Sequence, residues 1–529
     1  MVLVRFWRVC PLPGNGKNSA LKHYVMKKIL FYVLIFASAI TFGLTPGKAQ
    51  NSAQITINSA TEIDYVYSLM LERVRFHETL GIGLAETEYE TIDVFDLSFQ
   101  KDGSTTFEVD KPLLVRLTIA SKKPTNNLSP GEMMHESRTQ LLYIVPQESL
   151  TITVQPGNNL TFEGKNIAHQ EFLQEYFLEN HYQYLPAFRF DPRKIDNKAI
   201  IQQSDSLAEV RLKSYEEFKA KHSPDAIFDT YVRATTHVEP YLMEIVVKDR
   251  EMRQNTPVKL TPEQRKELNA ISLTKFKLFP DEALFSLAYR NELRNWILIP
   301  STEKFPQLLS NQYALDQEAL LDVYARSADK LSEYPKQQEY LLTYWLNYAV
   351  TAMQSMEAAR TIFSDFEKRF PASEVNKYFS TLIATKEKLN SGNPAPDFTL
   401  LNKDSTAVSL SSLKGKNLCV AFAFSLKQHE PTLKLLEDIK GDSVTFVYIS
   451  VASGIPFGTW KDYLEPRPQA LHLWASDEDI DMFKALYAIE PRFPFMVIDA
   501  EGRIVNRWIP QEFPHNKSLQ SSLRVAASK

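Results

Sequence analysis

None of the sixteen glycines in this chain of 529 residues falls between Gly164 and Gly392. Glycine inside a helix costs up to ~1 kcal/mol against alanine, whereas hairpins and tight turns draw on it. So long a glycine-free stretch predicts helices through the middle of the chain. Prolines punctuate it where helices should begin. Thr261-Pro-Glu-Gln264 offers an N-cap, a first-turn proline and a capping-box glutamine. Phe279-Pro-Asp-Glu282 and Ser223-Pro-Asp225 follow the same pattern. From Tyr340 to Phe366, Leu342, Trp345, Leu346, Ala349 and Met353 form a stripe at helical spacing, either one long helix or a pair. The aromatic run Tyr176, Phe177, His181, Tyr182, Tyr184, Phe188 and Phe190 reads as the core of amphipathic helices or as the lining of a ligand groove.

Before the gap, residues 51 to 165 carry strand signals. Ile92 to Phe99 and Leu113 to Ile119 alternate apolar and polar residues. Gln140 to Val145, Leu150 to Val154 and Asn159 to Phe162 follow, separated by Pro146-Gln-Glu148 and Gln155-Pro-Gly-Asn158. Short alternating runs broken by turn residues predict an antiparallel β domain, a small sandwich.

After the gap, Asn390-Ser-Gly-Asn-Pro-Ala-Pro396 has the composition of a linker. Leu418 to Leu426 is then an almost unbroken apolar run after the turn Lys414-Gly-Lys416, as expected of a strand buried on both faces. Lys427 to Lys440 reads as the helix that follows, and Val444 to Val451 as a second buried strand. Helices are expected around Trp460 to Leu464, over Ile480 to Tyr487 and over Asn516 to Ala526, with a hairpin at Phe495 to Ile498 and Ile504 to Trp508.

The region from Gly392 onward resembles a thioredoxin-like domain of the TlpA/ResA type, found in bacterial envelope proteins. Asn393-Pro-Ala-Pro-Asp-Phe-Thr-Leu400 is similar to that family's opening segment, and Val408-Ser-Leu-Ser-Ser-Leu-Lys-Gly-Lys416 to its hairpin and turn. Tyr487-Ala-Ile489 and Phe493-Pro-Phe-Met-Val-Ile-Asp-Ala-Glu-Gly-Arg-Ile504 resemble the segment that carries the family's cis-proline. Tyr143 to Ile152 is similar to part of the β domain that precedes such domains in multidomain proteins of the Bacteroidetes type. The resemblance implies a fold of three parts: a β domain at 50–165, a helical domain at 166–389 and a thioredoxin-like domain at 390–529.

It also implies a site, and here the sequence departs from the family. Aligned without a gap from Lys414-Gly-Lys416, the family's Trp-Cys-x-x-Cys falls on Leu426-Lys427-Gln428-His429-Glu430. In working enzymes one thiolate, its pKa lowered at a helix N-terminus, attacks a disulfide and a second resolves the intermediate. Lys427 and Glu430 occupy those two positions, and neither can do this. With Gln428, His429, Phe493 and Pro494 they remain candidates for binding: in the family the backbone beside the proline receives an extended polypeptide. Alternatively, Phe493-Pro494 survives only to maintain the fold. Lys427 and Glu430, three residues apart, read as a pair across a solvated helix face. A nucleophilic lysine needs desolvation, and a metal at His429 and Glu430 needs further ligands from elsewhere. No metal or other cofactor is expected.

Cysteine usage agrees. Cys10 and Cys419 are the only two, and Cys419 sits in the apolar strand, where a thiol packs as an inert small hydrophobe. Met26-Lys-Lys28, the apolar run Ile29 to Leu44 and Gly47-Lys-Ala49 have the three sections of a secretory signal, with Met26 the expected true start. Without residues 1–49 the chain keeps 53 Lys and Arg against 64 Asp and Glu, a net charge of −11. That disfavours nucleic acid as a partner and provides no polybasic membrane patch. No stretch of the mature chain is long and apolar enough to span a bilayer. Gly131-Glu-Met-Met-His-Glu136 lacks the two-histidine spacing of a zinc helix, Gly81-Ile-Gly83 lacks the rest of a phosphate loop, and no Gly-x-Ser-x-Gly elbow occurs.

The expectation is thus an exported protein of the cell envelope (periplasmic, outer-membrane associated or extracellular) that binds or scaffolds without catalysing. Its partner would be another envelope protein or an extended peptide. The enzymatic alternative is a thiol–disulfide oxidoreductase relative acting through Cys419 or a partner's thiols. A third reading is a purely structural surface protein.

Overall fold

A computed structural model of the chain describes residues 52–59, 66–74, 89–96, 102–122, 137–155, 159–176, 197–254, 260–310, 315–352, 356–424, 444–452, 454–464, 471–489, 493–510 and 517–527. The leader expected over 1–49, the positions Lys427, Gln428, His429 and Glu430, and the aromatic run beyond Tyr176 lie outside them.

The first strands are β1 Ser52–Ser59, β2 Val66–Val74, β3 Tyr89–Asp96, β4 Asp102–Glu108, β5 Leu113–Lys122, β6 Ser137–Ile144, β7 Ser149–Gln155 and β8 Asn159–Glu163. They form two sheets, ordered β4-β1-β7-β8 and β3-β2-β5-β6. Ile55, Ile57, Ile152 and Val154 of the first meet Leu69, Leu71, Val115 and Leu117 of the second in one core. The pair is a sandwich. Not every pairing is antiparallel, however: β1 runs parallel to β7, with Ile55 opposite Leu150 and Ile57 opposite Ile152. The chain visits the two sheets alternately, so β1 and β7 adjoin in space but not in sequence. No hairpin then fixes their relative direction.

Helix α1 Ile167–Tyr176 closes the sandwich with two glutamines one turn apart. The Gln170 side chain accepts from the Tyr143 N–H at 3.0 Å and donates to the Tyr143 carbonyl at 2.5 Å. Gln174 does the same for Leu160, at 3.1 and 3.0 Å. Tyr143 lies on β6 and Leu160 on β8, each the edge of its sheet. The two amides therefore substitute for the missing neighbouring strands, the standard hazard of a sheet edge. Leu114, Leu141 and Tyr143, on the outer face of the second sheet, pack on Phe172, Phe218 and Phe228 of the helices.

The glycine-free region is helical: α2 Asn197–His222, α3 Ala226–Gln254, α4 Pro262–Lys275, α5 Leu287–Leu298, α6 Gln307–Ser310, α7 Gln317–Lys330, α8 Pro335–Ala352, α9 Met356–Arg369 and α10 Asn376–Lys388. The α4 capping box forms as its sequence predicts, Thr261 accepting from the Gln264 N–H and Gln264 from the Thr261 N–H. The Tyr340–Phe366 stretch is a pair, α8 and α9, and Leu342, Trp345, Leu346 and Ala349 are all buried. Phe279-Pro-Asp-Glu282 leads instead into a 3₁₀ turn, Asp281–Phe285.

The last region holds β9 Thr399–Asn402, β10 Ala407–Ser409, β11 Asn417–Ala423, β12 Val444–Ser450, α11 Phe457–Leu464, β13 Leu471–Trp474, α12 Asp477–Tyr487, β14 Phe495–Ile498, β15 Ile504–Ile509 and α13 Lys517–Ala527. Its strands make one sheet, β10-β9-β13-β12-β11-β14-β15. β11 lies inside the sheet, parallel to β12 and antiparallel to β14. Residues 390–396, read from sequence as a linker, are pinned to β15. The Gly392 N–H donates to Ile504, the Ile504 N–H to Asn393 and the Ala395 N–H to Gly502, at 2.8, 2.8 and 3.0 Å. Turn-forming residues here build a docked corner and not a tether. Among the described residues, no helix is long and apolar enough to cross a membrane.

Candidate functional site

β11 is buried on both faces, and its alternation divides its residues between two cores. Leu418, Val420 and Phe422 face the core shared with α12. Cys419 and Ala421 face the opposite one, against Leu519 and Leu523 of α13. Cys419 is fully buried, and burial pushes its thiol up to about 12. At neutral pH it supplies almost no thiolate, and it points away from the Phe422 side. The inert reading of this cysteine agrees with its position.

The C-terminal end of β11 meets the proline segment. Ala421 pairs with Phe495, and the Phe422 N–H donates to the Pro494 carbonyl at 2.8 Å. Phe493 and Pro494 are both buried. Of the sequence-predicted site residues these two are therefore brought to the end of β11, while Lys427, Gln428, His429 and Glu430 fall outside the described residues.

Arg507, which the sequence reading passed over, organises this corner. It is 1% exposed. Its Nη1 donates to the Phe493 carbonyl at 2.7 Å, its Nε to Tyr487 at 3.0 Å and its Nη2 to Ala488 at 3.3 Å. Tyr487 ends α12 and Ala488 caps it in the left-handed region, at φ 43°. The cation thus sits at the negative end of a helix and satisfies carbonyls that the helix leaves unpaired. Its guanidinium also lies 5.1 Å from the Phe422 ring centre and 4.9 Å from that of Trp508.

A β-bulge puts it there. Val497 pairs with Asn506 and Phe495 with Ile509, so β15 spends three steps where β14 spends two. The extra residue breaks the period-two alternation at Arg507 and Trp508 and re-aims their side chains. An arginine in a strand bounded by Ile504, Val505, Trp508 and Ile509 was the available signal.

As a result the carbonyls of both Phe493 and Pro494 are already paired inside the protein. Across the described residues, no group of His, Cys, Asp and Glu is placed to hold a metal ion.

An interior β11 flanked by parallel β12 and antiparallel β14-β15, with a helix packed on each face, is a thioredoxin-like fold. No family model matches this chain, and no curated protein matches it. Among solved structures it is similar to the thioredoxin domain of a thiol-disulfide oxidoreductase from Bacteroides vulgatus, at 22% identity, over 26% of this chain and 96% of that one, with a TM-score of 0.22. It is also similar to a thiol:disulfide interchange protein from Bacteroides sp. (22% identity, 27% and 93% covered, TM-score 0.22). A third is ScoI from Bradyrhizobium japonicum, solved with copper bound (19% identity, 25% and 99% covered, TM-score 0.21). At such identities no activity passes from these proteins to this one.

Proposed function

We propose that the chain is an exported envelope protein whose domains are a β sandwich at 50–165, a helical domain at 166–389 and a TlpA/ResA-type thioredoxin-like domain at 390–529. It acts as a redox-inactive binding or scaffolding protein. The partner is an extended polypeptide of the envelope, contacted through the side chains of Lys427, Gln428, His429 and Glu430. Phe493 and Pro494 serve as the floor of that site. The observation that carries this reading is the corner itself. A buried arginine and a strand amide occupy the carbonyls of Phe493 and Pro494, and the described residues offer no thiol except the inaccessible Cys419. Such a corner is built for rigidity, and electrons have no carrier there.

The test is binding of fluorescent S-carboxymethylated insulin B chain, an extended polypeptide without free thiols, followed by anisotropy. Saturable binding that a Lys427→Glu, Glu430→Lys double variant weakens is the expected result. Binding that ignores this charge exchange assigns the contact to another surface. No binding by the intact chain removes polypeptide recognition from the account.

A further inference from the structure

Helix α10 belongs to two cores at once. Phe379 and Ile383 are buried among the middle helices, while Leu389, at its C-cap, is buried in the thioredoxin-like core. Between them stands Lys386, only 2% exposed. Lysine is among the residues least often buried completely, because its ammonium must be compensated. The compensation comes from both sides of the junction. Lys386 Nζ donates to the Val350 carbonyl at 2.6 Å, one of the last carbonyls of α8, which have no partner within the helix. The same Nζ lies 4.4 Å from the centre of the Trp508 ring on β15.

Trp508 continues the chain of contacts. Its ring meets the Arg507 guanidinium at 4.9 Å and the Phe493 ring edge-on at 6.0 Å. Arg507 in turn holds the Phe493 carbonyl. The bulge in β15 thus sets Trp508 between a cation of the helical region and the cation that fixes the proline segment. Residues 390–396, docked along β15, leave no slack at this junction.

We propose that Lys386 is a positioning residue: through Trp508 and Arg507 the helical region fixes the Phe493–Pro494 floor, so that the two regions make one binding unit. This deepens the function proposed above and rests on it for the ligand, though not for the coupling. The helical region is then a control element. Any partner that shifts α8 against α10 alters the floor some distance away.

Two readouts on the full chain separate the two ideas. Hydrogen exchange of the segment 493–498 reports the floor with no ligand present, with β1 and β7 of the sandwich as the internal reference. Anisotropy with S-carboxymethylated insulin B chain reports binding. Lys386→Met keeps the stem and removes the donor and the charge. It should speed exchange at 493–498 while leaving β1 and β7 unchanged, and weaken binding by about fivefold or more, the lower range of measured site-to-site couplings. Lys386→Arg retains a cation and a donor and should restore both. Trp508→Phe serves the same purpose if Lys386→Met fails to fold. Unchanged exchange at 493–498, or a rise shared equally by the sandwich, overturns the positioning role. Local exchange that responds to Lys386 in a chain that binds no polypeptide upholds the coupling and sinks the binding function instead.

Discussion

The guanidinium of Arg507 donates to the carbonyl of Phe493 at 2.7 Å from a position almost wholly removed from solvent. Together with its bonds to Tyr487 and Ala488, this ties the end of α12 to the start of β14. Hydrogen bonds from a charged donor are worth about 1.5–3 kcal/mol each, and stranded buried carbonyls add their own desolvation cost. Arg507→Leu should therefore destabilise the thioredoxin-like region by ~3 kcal/mol or more. Denaturant unfolding of the C-terminal region, followed by hydrogen exchange, measures it. Arg507→Lys, which cannot reach three carbonyls with a planar fork, should fall between.

Gln170 makes a second prediction, at the other end of the chain. It is fully buried, and its amide pairs with both backbone groups of Tyr143. Gln170→Leu keeps the bulk and leaves an N–H and a C=O of edge strand β6 without partners, at a cost of ~2 kcal/mol. Gln170→Glu should cost more, since a carboxylate cannot donate to the carbonyl. The unfolding midpoint of the sandwich is the measurement.

The sandwich should also weaken in acid. His169 of α1 stacks on Tyr143 at 4.9 Å and packs edge-on against Phe218 and Phe228. Burial, reinforced by His222 and opposed by Asp225, lowers its pKa to about 4. An unfolded histidine titrates near 6.5, so the unfolded chain takes up this proton first. The stability linked to His169 is complete above about pH 6.5 and is lost as pH falls towards 4, up to ~3 kcal/mol. His169→Phe should flatten that loss in a series of thermal melts from pH 7 to pH 4. An unaltered acid profile would assign the sensitivity to other groups.

Cys419 gives a chemical check. With its thiol pushed up to about 12 by burial, it should resist iodoacetamide at pH 8 in the native chain. It should react at the rate of a free thiol once the chain is unfolded. Rapid native labelling would show that β11 opens.

Much of this architecture was legible in the sequence, where local chemistry decides the outcome. The Thr261–Gln264 capping box, the Trp345 stripe and the apolar run of β11 each report their own surroundings. What was missed depends on contacts between distant segments. The parallel pairing of β1 with β7 is set by a chain alternating between two sheets. Gln170 and Gln174 look like ordinary polar helix residues until an edge strand is placed beside them. Arg507 and Trp508 face inward because a bulge breaks the alternation on which strand reading relies, and Lys386 reads as a surface lysine until β15 covers it. Of the candidate site, Phe493 and Pro494 are proposed from their motif. The cation that holds them is not.

If the proposed redox-inactive function holds, the thioredoxin-like region moves no electrons, and the turbidimetric reduction of insulin by dithiothreitol reads this out. The intact chain and its Cys419→Ser variant should both leave the rate at the level seen without protein. Acceleration by the intact chain that Cys419→Ser abolishes would contradict the claim, and with it the reading of the protein as a redox-inactive scaffold.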